Sequence, residues 1–385
     1  MNSIFKRAGA AIAATLLLAG CQVIPGGNQS PDGGPVVTQP TMPDAAVLPT
    51  DSARHRVALL VPLSGANAAA GQSIANATTM ALLDTSADNL RITTYDTGAG
   101  AGNAARRAIA DGNKLILGPL SRDNVGAVLA QARPAGVPLI TFSNDQSVAR
   151  ADVFVMGQSP VESVSRTVNF AIDQGAKNFA VLAPRGDYGD VALSALERVM
   201  ASRGTRLIAI ERFDRGNTSI VSAAGRLNAK GGFDSVLIAE GARLSAMAAG
   251  ELKKAGASLP SLLGTELWSG EQSLTNSTAM RGAWFSAISD QRFGQFTNSY
   301  ESRFGNQPYR IATLGYDAVL VTLRIARDWQ PGRAFPTGRL IADDGFLGLD
   351  GPFRFRSNGT GERALEVRQV NNGKFSVVDP APPRF

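Results

Sequence analysis

Residues 114–145, KLILGPLSRDNVGAVLAQARPAGVPLITFSND, read as a complete strand–turn–helix–turn–strand unit, and the fold follows from that reading. Leu115-Ile116-Leu117 is a short apolar run halted by Gly118-Pro119. Ser121-Arg122-Asp123-Asn124 then offers N-cap side chains ahead of a helical pattern at Val125, Val128, Leu129 and Ala132. Arg133-Pro134-Ala135-Gly136 stops the helix, Val137 to Thr141 forms a second strand, and Ser143-Asn144-Asp145 makes another polar turn. Two parallel strands joined by a helix bring both polar turns to one carboxyl edge of a sheet, where open α/β folds bind ligands.

The same alternation extends outward. Upstream, Arg56 to Val61 (RVALLV) is a buried-strand pattern ended by Pro62, and the PLSG turn with Ser64 leads into an Ala-rich helix over 71–83. Strand 91–95 is followed by Gly98, Gly100 and Gly102. Their G-x-G-x-G spacing after a second strand departs from a dinucleotide fingerprint and reads as an ordinary connection. Downstream, strand Phe179 to Pro184 runs through Arg185-Gly186-Asp187-Tyr188-Gly189 into a long helix, and strand–helix pairs repeat through 255. Short strands at 262–264 and 283–287 bracket Thr265-Glu266-Leu267-Trp268-Ser269. The segment 313–329 is a helix with an apolar face at Leu314, Ala318, Val321 and Ile325, and the tail carries short antiparallel strands with turns at Asn358-Gly359 and Asn372-Gly373.

Two runs of strand–helix alternation joined by crossings near Met156, Phe285 and Leu340 define an α/β fold of two Rossmann-like lobes that resembles the type I periplasmic-binding-protein fold. The echoes are LLVPLSG, ILGPLSRDNV, GVPLITFSND, the DYGD turn and ATLGYDAVL, and they resemble the branched-chain amino-acid receptors. GPL-x-x-x-NV and LGYDA look more like the two-lobed domain of outer-membrane lipoproteins that activate penicillin-binding proteins. The resemblance implies lobe 1 from 55–156 plus 287–340 and lobe 2 from 157–286 plus 341–378. It also implies a ligand cleft reached by Ser64, Ser121, Arg122, Ser143, Asn144, Tyr188 and Glu266. In the receptors a small hydroxyl side chain and turn amides hold the ligand carboxylate, while a Tyr and a Glu hold its ammonium; Tyr188 and Glu266 match the latter. Arg122 departs from the small hydroxyl residue. It either binds a carboxylate bidentately or fills the cleft. Against these roles stand plainer ones: a solvated helix start for Arg122, a packing aromatic for Tyr188 and a capping acid for Glu266.

Cys21 is the sole cysteine of 385 residues. Lys6-Arg7, the apolar stretch 8–18 and Leu18-Ala19-Gly20-Cys21 resemble a bacterial lipoprotein signal. That resemblance implies a signal peptide over 1–20, lipid attachment at Cys21, and a flexible Pro/Gly-rich tether over 21–54. About 30 such residues span about 30 Å r.m.s.. By resemblance to enterobacterial lipoprotein sorting, Gln22 rather than Asp after the cysteine implies the outer membrane, lipid-anchored and facing the periplasm.

The charge balance is 38 Lys and Arg against 32 Asp and Glu. Two of the basic residues lie in the leader, so the field is weak, and with no basic block interleaved with aromatics nucleic-acid binding is not expected. His55 is the only histidine, which argues against a Ser-His-acid triad or a histidine metal site. No cofactor, metal or catalysis is expected; Asp187/Asp190 and Asp343/Asp344 read as turn and surface carboxylates. The resemblance implies a non-enzymatic lipoprotein that binds and stimulates a peptidoglycan synthase. The alternative is a receptor for an amino acid or similar small polar ligand, serving a transporter or sensor.

Overall fold

A computed structural model describes residues 53–254 and 260–385. His55–Val61 (β1) is apolar from Val57 onward because helices cover both faces of a central parallel strand: Val57, Leu59 and Val61 enter one core, Ala58 and Leu60 the other. The chain continues through Ala68–Asp84 (α1), Leu90–Asp96 (β2), Ala101–Ala110 (α2), Leu115–Leu117 (β3), Arg122–Ala132 (α3), Leu139–Thr141 (β4) and Val153–Val155 (β5). These strands form one parallel sheet in the order β2-β1-β3-β4-β5. The Ser121 hydroxyl accepts from the Asp123 amide and caps α3.

The second lobe repeats the device. Pro160–Asp173 (α4) starts with proline after the Ser159 cap, and Asn178–Pro184 (β6) divides its side chains between two cores as β1 does. Asp187–Arg203 (α5), Arg206–Phe213 (β7), Ser219–Lys230 (α6), Ser235–Ile238 (β8), Ala242–Leu252 (α7), Ser261–Leu263 (β9) and Trp284–Ala287 (β10) follow. Phe293–Phe304 (α8) and Thr313–Ala326 (α9) then return to the first lobe. Leu314, Ala318, Val321 and Ile325 of α9 fill the β1 core, as their spacing predicts. The tail comprises Phe346–Gly348 (β11), Gly351–Phe355 (β12), Gly361–Arg363 (β13), Glu366–Asn371 (β14) and Lys374–Asp379 (β15). The second sheet runs β15-β14-β10-β9-β8-β6-β7, with β14 and β15 antiparallel, and β11-β12-β13 form a small antiparallel sheet.

One boundary differs from the sequence reading, which gives 341–378 to lobe 2. Phe346, Phe353 and Phe355 pack with Val57, Leu59 and Phe154 of lobe 1, and the Val155 amide donates to the Gly359 carbonyl at 2.8 Å. The third crossing therefore lies at Ala364-Leu365, past the small sheet. The reason is apolar area: three phenylalanines on β11 and β12 need a core, and lobe 1 supplies it. The crossings are stitched together by arginines. Arg363 donates through its guanidinium to the Met156 carbonyl at 2.7 Å and through its amide to Glu162 Oε1 at 2.6 Å. Arg368 donates to the Ile288 carbonyl at 2.8 Å.

Candidate functional site

The carboxyl edges of both parallel sheets carry polar turns, and a cavity of about 510 Å³ opens between turns of the two lobes. Lobe 1 contributes Arg122, Asn144 and Gln146 to its wall; lobe 2 contributes Val161, Tyr188 and Val191. Three of the seven cleft candidates named from sequence, Arg122, Asn144 and Tyr188, thus meet in one cavity. The other four lie outside its wall. Ser64 donates to Asp96 Oδ2 at 2.7 Å, closing its own turn, while Ser121 caps α3. Ser143 is buried and accepts from the Asp145 amide at 3.1 Å. Glu266 sits behind Tyr188.

Arg122 spans the lobes. Its Nη1 lies 2.7 Å from Asp145 Oδ2 in lobe 1 and 3.2 Å from Asp187 Oδ2 in lobe 2, with Asp123 3.5 Å from Nε. Burial alone would raise the Asp145 carboxyl, but Ser147 and the Arg122 guanidinium together hold it below the ordinary aspartate value.

Behind the cavity wall, the Tyr188 hydroxyl donates to Glu266 Oε1 at 3.0 Å and shares a 2.8 Å hydrogen bond with the Thr265 hydroxyl. Burial, then the neighbouring Glu266 charge, pushes the phenol well up. Desolvation also raises the Glu266 carboxyl to about 7. Its Oε2 is buried with no hydrogen-bond partner. The nearby Ser163 hydroxyl gives it little, since its proton goes to the Ser286 carbonyl at 2.8 Å. The plainer role of helix-start acid fits the backbone, because Glu266 opens the 3₁₀ turn Glu266–Trp268, but the cap itself is Thr265.

Sequence reading missed Arg215 and Glu240. Arg215 lies over the Tyr188 ring, 4.9 Å from its centroid, and pairs with Glu240 Oε2 at 2.8 Å. Glu240 follows β8 at the sheet's carboxyl edge, where open α/β folds bind ligands, and that position is the signal that points to it. His55 is buried against Trp329, ring centroids 4.2 Å apart, at the opposite edge of β1 from the polar turns. Cys21, the leader and the tether through residue 52 lie outside the described residues.

A family model described as periplasmic binding protein matches residues 55–374. An uncharacterized protein of Rickettsia prowazekii is 26% identical over 175 residues, 45% of this chain and 47% of that protein, so the chain spans about half the length of this curated relative. Among solved structures, a leucine-binding protein from Thermotoga maritima is 19% identical with a TM-score of 0.63, over 86% of this chain and 99% of that one. A branched-chain amino acid transporter substrate-binding protein from Streptococcus pneumoniae, solved with isoleucine, is 18% identical with a TM-score of 0.61, over 85% and 100%. An ABC transporter solute-binding protein from R. palustris, solved with benzoate, is 16% identical with a TM-score of 0.62, over 86% and 97%. At these identities the likeness is one of fold.

Proposed function

This chain belongs to the periplasmic binding protein family, and from that premise we propose that it is a receptor that closes its two lobes on a small ligand bearing an ammonium group, an amino acid or a relative of one, for a transporter. The observation that supports this most is Glu266: a carboxylate desolvated at the carboxyl edge of lobe 2, one oxygen taken by Tyr188 and the other without a partner. Leaving an acceptor buried and unsatisfied costs free energy, and an ammonium reaching it when the lobes part satisfies it. Solved relatives with isoleucine and benzoate agree in ligand size. A cavity of about 510 Å³ accommodates either with room to spare. Acylation of Cys21 would tether such a receptor to a membrane.

The receptor reading is better supported than activation of a penicillin-binding protein. The two motifs that suggest an activator serve the fold. A Cβ on Gly118 of GPL-x-x-x-NV would stand 2.1 Å from the Leu60 carbonyl oxygen, and one on Gly315 of LGYDA 2.5 Å from that of Ile74. Close packing of backbone requires glycine at both.

Calorimetric titration with isoleucine and the other common amino acids tests the proposal. Saturable binding is expected, weakened at least about thirtyfold in Glu266→Gln, the loss of about 2 kcal/mol typical for one partner of a buried charged pair. Because Glu266 titrates at about 7, an ammonium that ionises it releases a proton below that pH. Affinity should rise between pH 6 and 8 and level off above. Unchanged affinity in Glu266→Gln, or no binding of any amino acid, would refute the reading.

A further inference from the structure

The ion pair at the cleft mouth has the form of an occupied anion site. Arg122 takes two carboxylates on one nitrogen, and the two are held very differently. Asp145 is 14% exposed, accepts from the Ser147 amide at 2.8 Å, and is fixed to the same lobe as Arg122. Asp187 is 78% exposed, comes from the opposite lobe and stands at 3.2 Å. In the first turn of α5 it is also favoured by the helix dipole and by water, so it loses little on leaving the arginine. Asp145 therefore orients the guanidinium, and Asp187 is its exchangeable partner.

We propose that Arg122 is the residue that reads a ligand's carboxylate, and that Asp187 stands in for that carboxylate and latches the lobes while the cleft is empty. The proposal rests on the cleft being a ligand site but not on Glu266. The ligand class is an organic carboxylate with an apolar body, since Pro160, Val161 and Val191 line the cavity beside Arg122. The guanidinium fork supplies further N–H donors for a carboxylate replacing Asp187. Entry of the ligand exchanges one ion pair for another, so charge recognition costs the protein no new desolvated arginine.

Benzoate, a monocarboxylate with no amine for Glu266, is the probe, titrated into the full chain carrying Cys21→Ser and either Asp187→Asn or Arg122→Gln. Asp187→Asn removes the competitor and is expected to bind benzoate at least about tenfold more tightly than Arg122→Gln. Spin labels on Ala130→Cys in α3 and Glu197→Cys in α5, both exposed, report lobe separation. The distance distribution should widen in both variants, and in the unsubstituted pair at high salt. Equal benzoate affinity in the two variants, including no binding in either, overturns the carboxylate site. Unaltered distances in both overturn the latch. Isoleucine binding that depends on Glu266 could survive either result, so this failure is distinguishable from failure of the receptor reading.

Discussion

Trp268→Ala is expected to destabilise the chain by about 3–5 kcal/mol and to lower the thermal midpoint by on the order of 10 °C. The indole is fully buried in the lobe 2 core with Leu274, Met280 and Phe285. It fills the space above Gly264 so closely that a Cβ there would stand 2.3 Å from the ring. Its Nε1 donates to the Glu240 carbonyl at 2.8 Å and the Ser245 hydroxyl at 3.1 Å, so truncation leaves a cavity and removes a donor from two buried oxygens, which keep only their own 2.9 Å bond to each other. Trp268→Phe separates the two effects: it restores most of the buried area, loses the N–H donor, and should cost only about 1–2 kcal/mol. Urea denaturation of the three forms measures both. The effect reaches the site, because Trp268 closes the 3₁₀ turn that holds Glu266, and its amide donates to the Thr265 carbonyl at 3.1 Å. A denaturation midpoint in Trp268→Ala equal to that of the unsubstituted chain would mean that this turn is not anchored through the indole.

The α/β fold was legible because its signals are local and repeated. Apolar runs such as RVALLV stop at prolines, and Ser121 caps a helix where the pattern begins. The home of residues 341–363 was not, because Phe346, Phe353 and Phe355 announce burial without saying in which core. In the site, position along the chain identified the turns, since a parallel strand fixes where its carboxyl end lies. What it could not supply was pairing across the cleft. Arg122 reads from sequence as a solvated helix start, a carboxylate ligand or a plug. The meeting with Asp187, which lies 65 positions away in sequence, depends on how two lobes approach rather than on any local pattern. Tyr188 and Glu266 illustrate the same limit: both were nameable by resemblance, but their hydrogen bond to each other exists only once α5 and the turn after β9 are packed together.

Stability should fall as pH rises from about 5 to about 8, opposite to the usual behaviour of a protein whose carboxylates are all paired. Acids held away from water cause this, Glu162 and Asp317 at the crossings, with Glu266 in the site acting in the same direction. Burial first, against the Arg363 amide and guanidinium, raises Glu162 to about 8. Burial and the Asp350 charge raise Asp317 to about 7; it accepts from the Leu349 amide at 2.6 Å while its Oδ2 has no partner. Both folded values exceed the unfolded ones. Their stabilisation is complete below the unfolded pKa and is lost as pH climbs through the folded pKa, because the unfolded chain gives up protons that the folded chain retains. Each such group contributes a slope of up to about 1.4 kcal/mol per pH unit within its window, so the loss accumulates steadily across this range. Asp152 beside Arg133 and Glu211 beside Lys230 and Arg226 are held low and act at the other end, withdrawing stability below about pH 4. The maximum should therefore lie in mildly acid solution. Glu162→Gln keeps an oxygen for the Arg363 amide and removes the ionisation, so its thermal midpoint should change far less between pH 6 and 8.5. Scanning calorimetry across that range on both forms measures the difference. A midpoint that holds level or climbs with pH in the unsubstituted chain would show that Glu162 and Asp317 ionise freely in the folded state, and that the arginines stitching the crossings already compensate them.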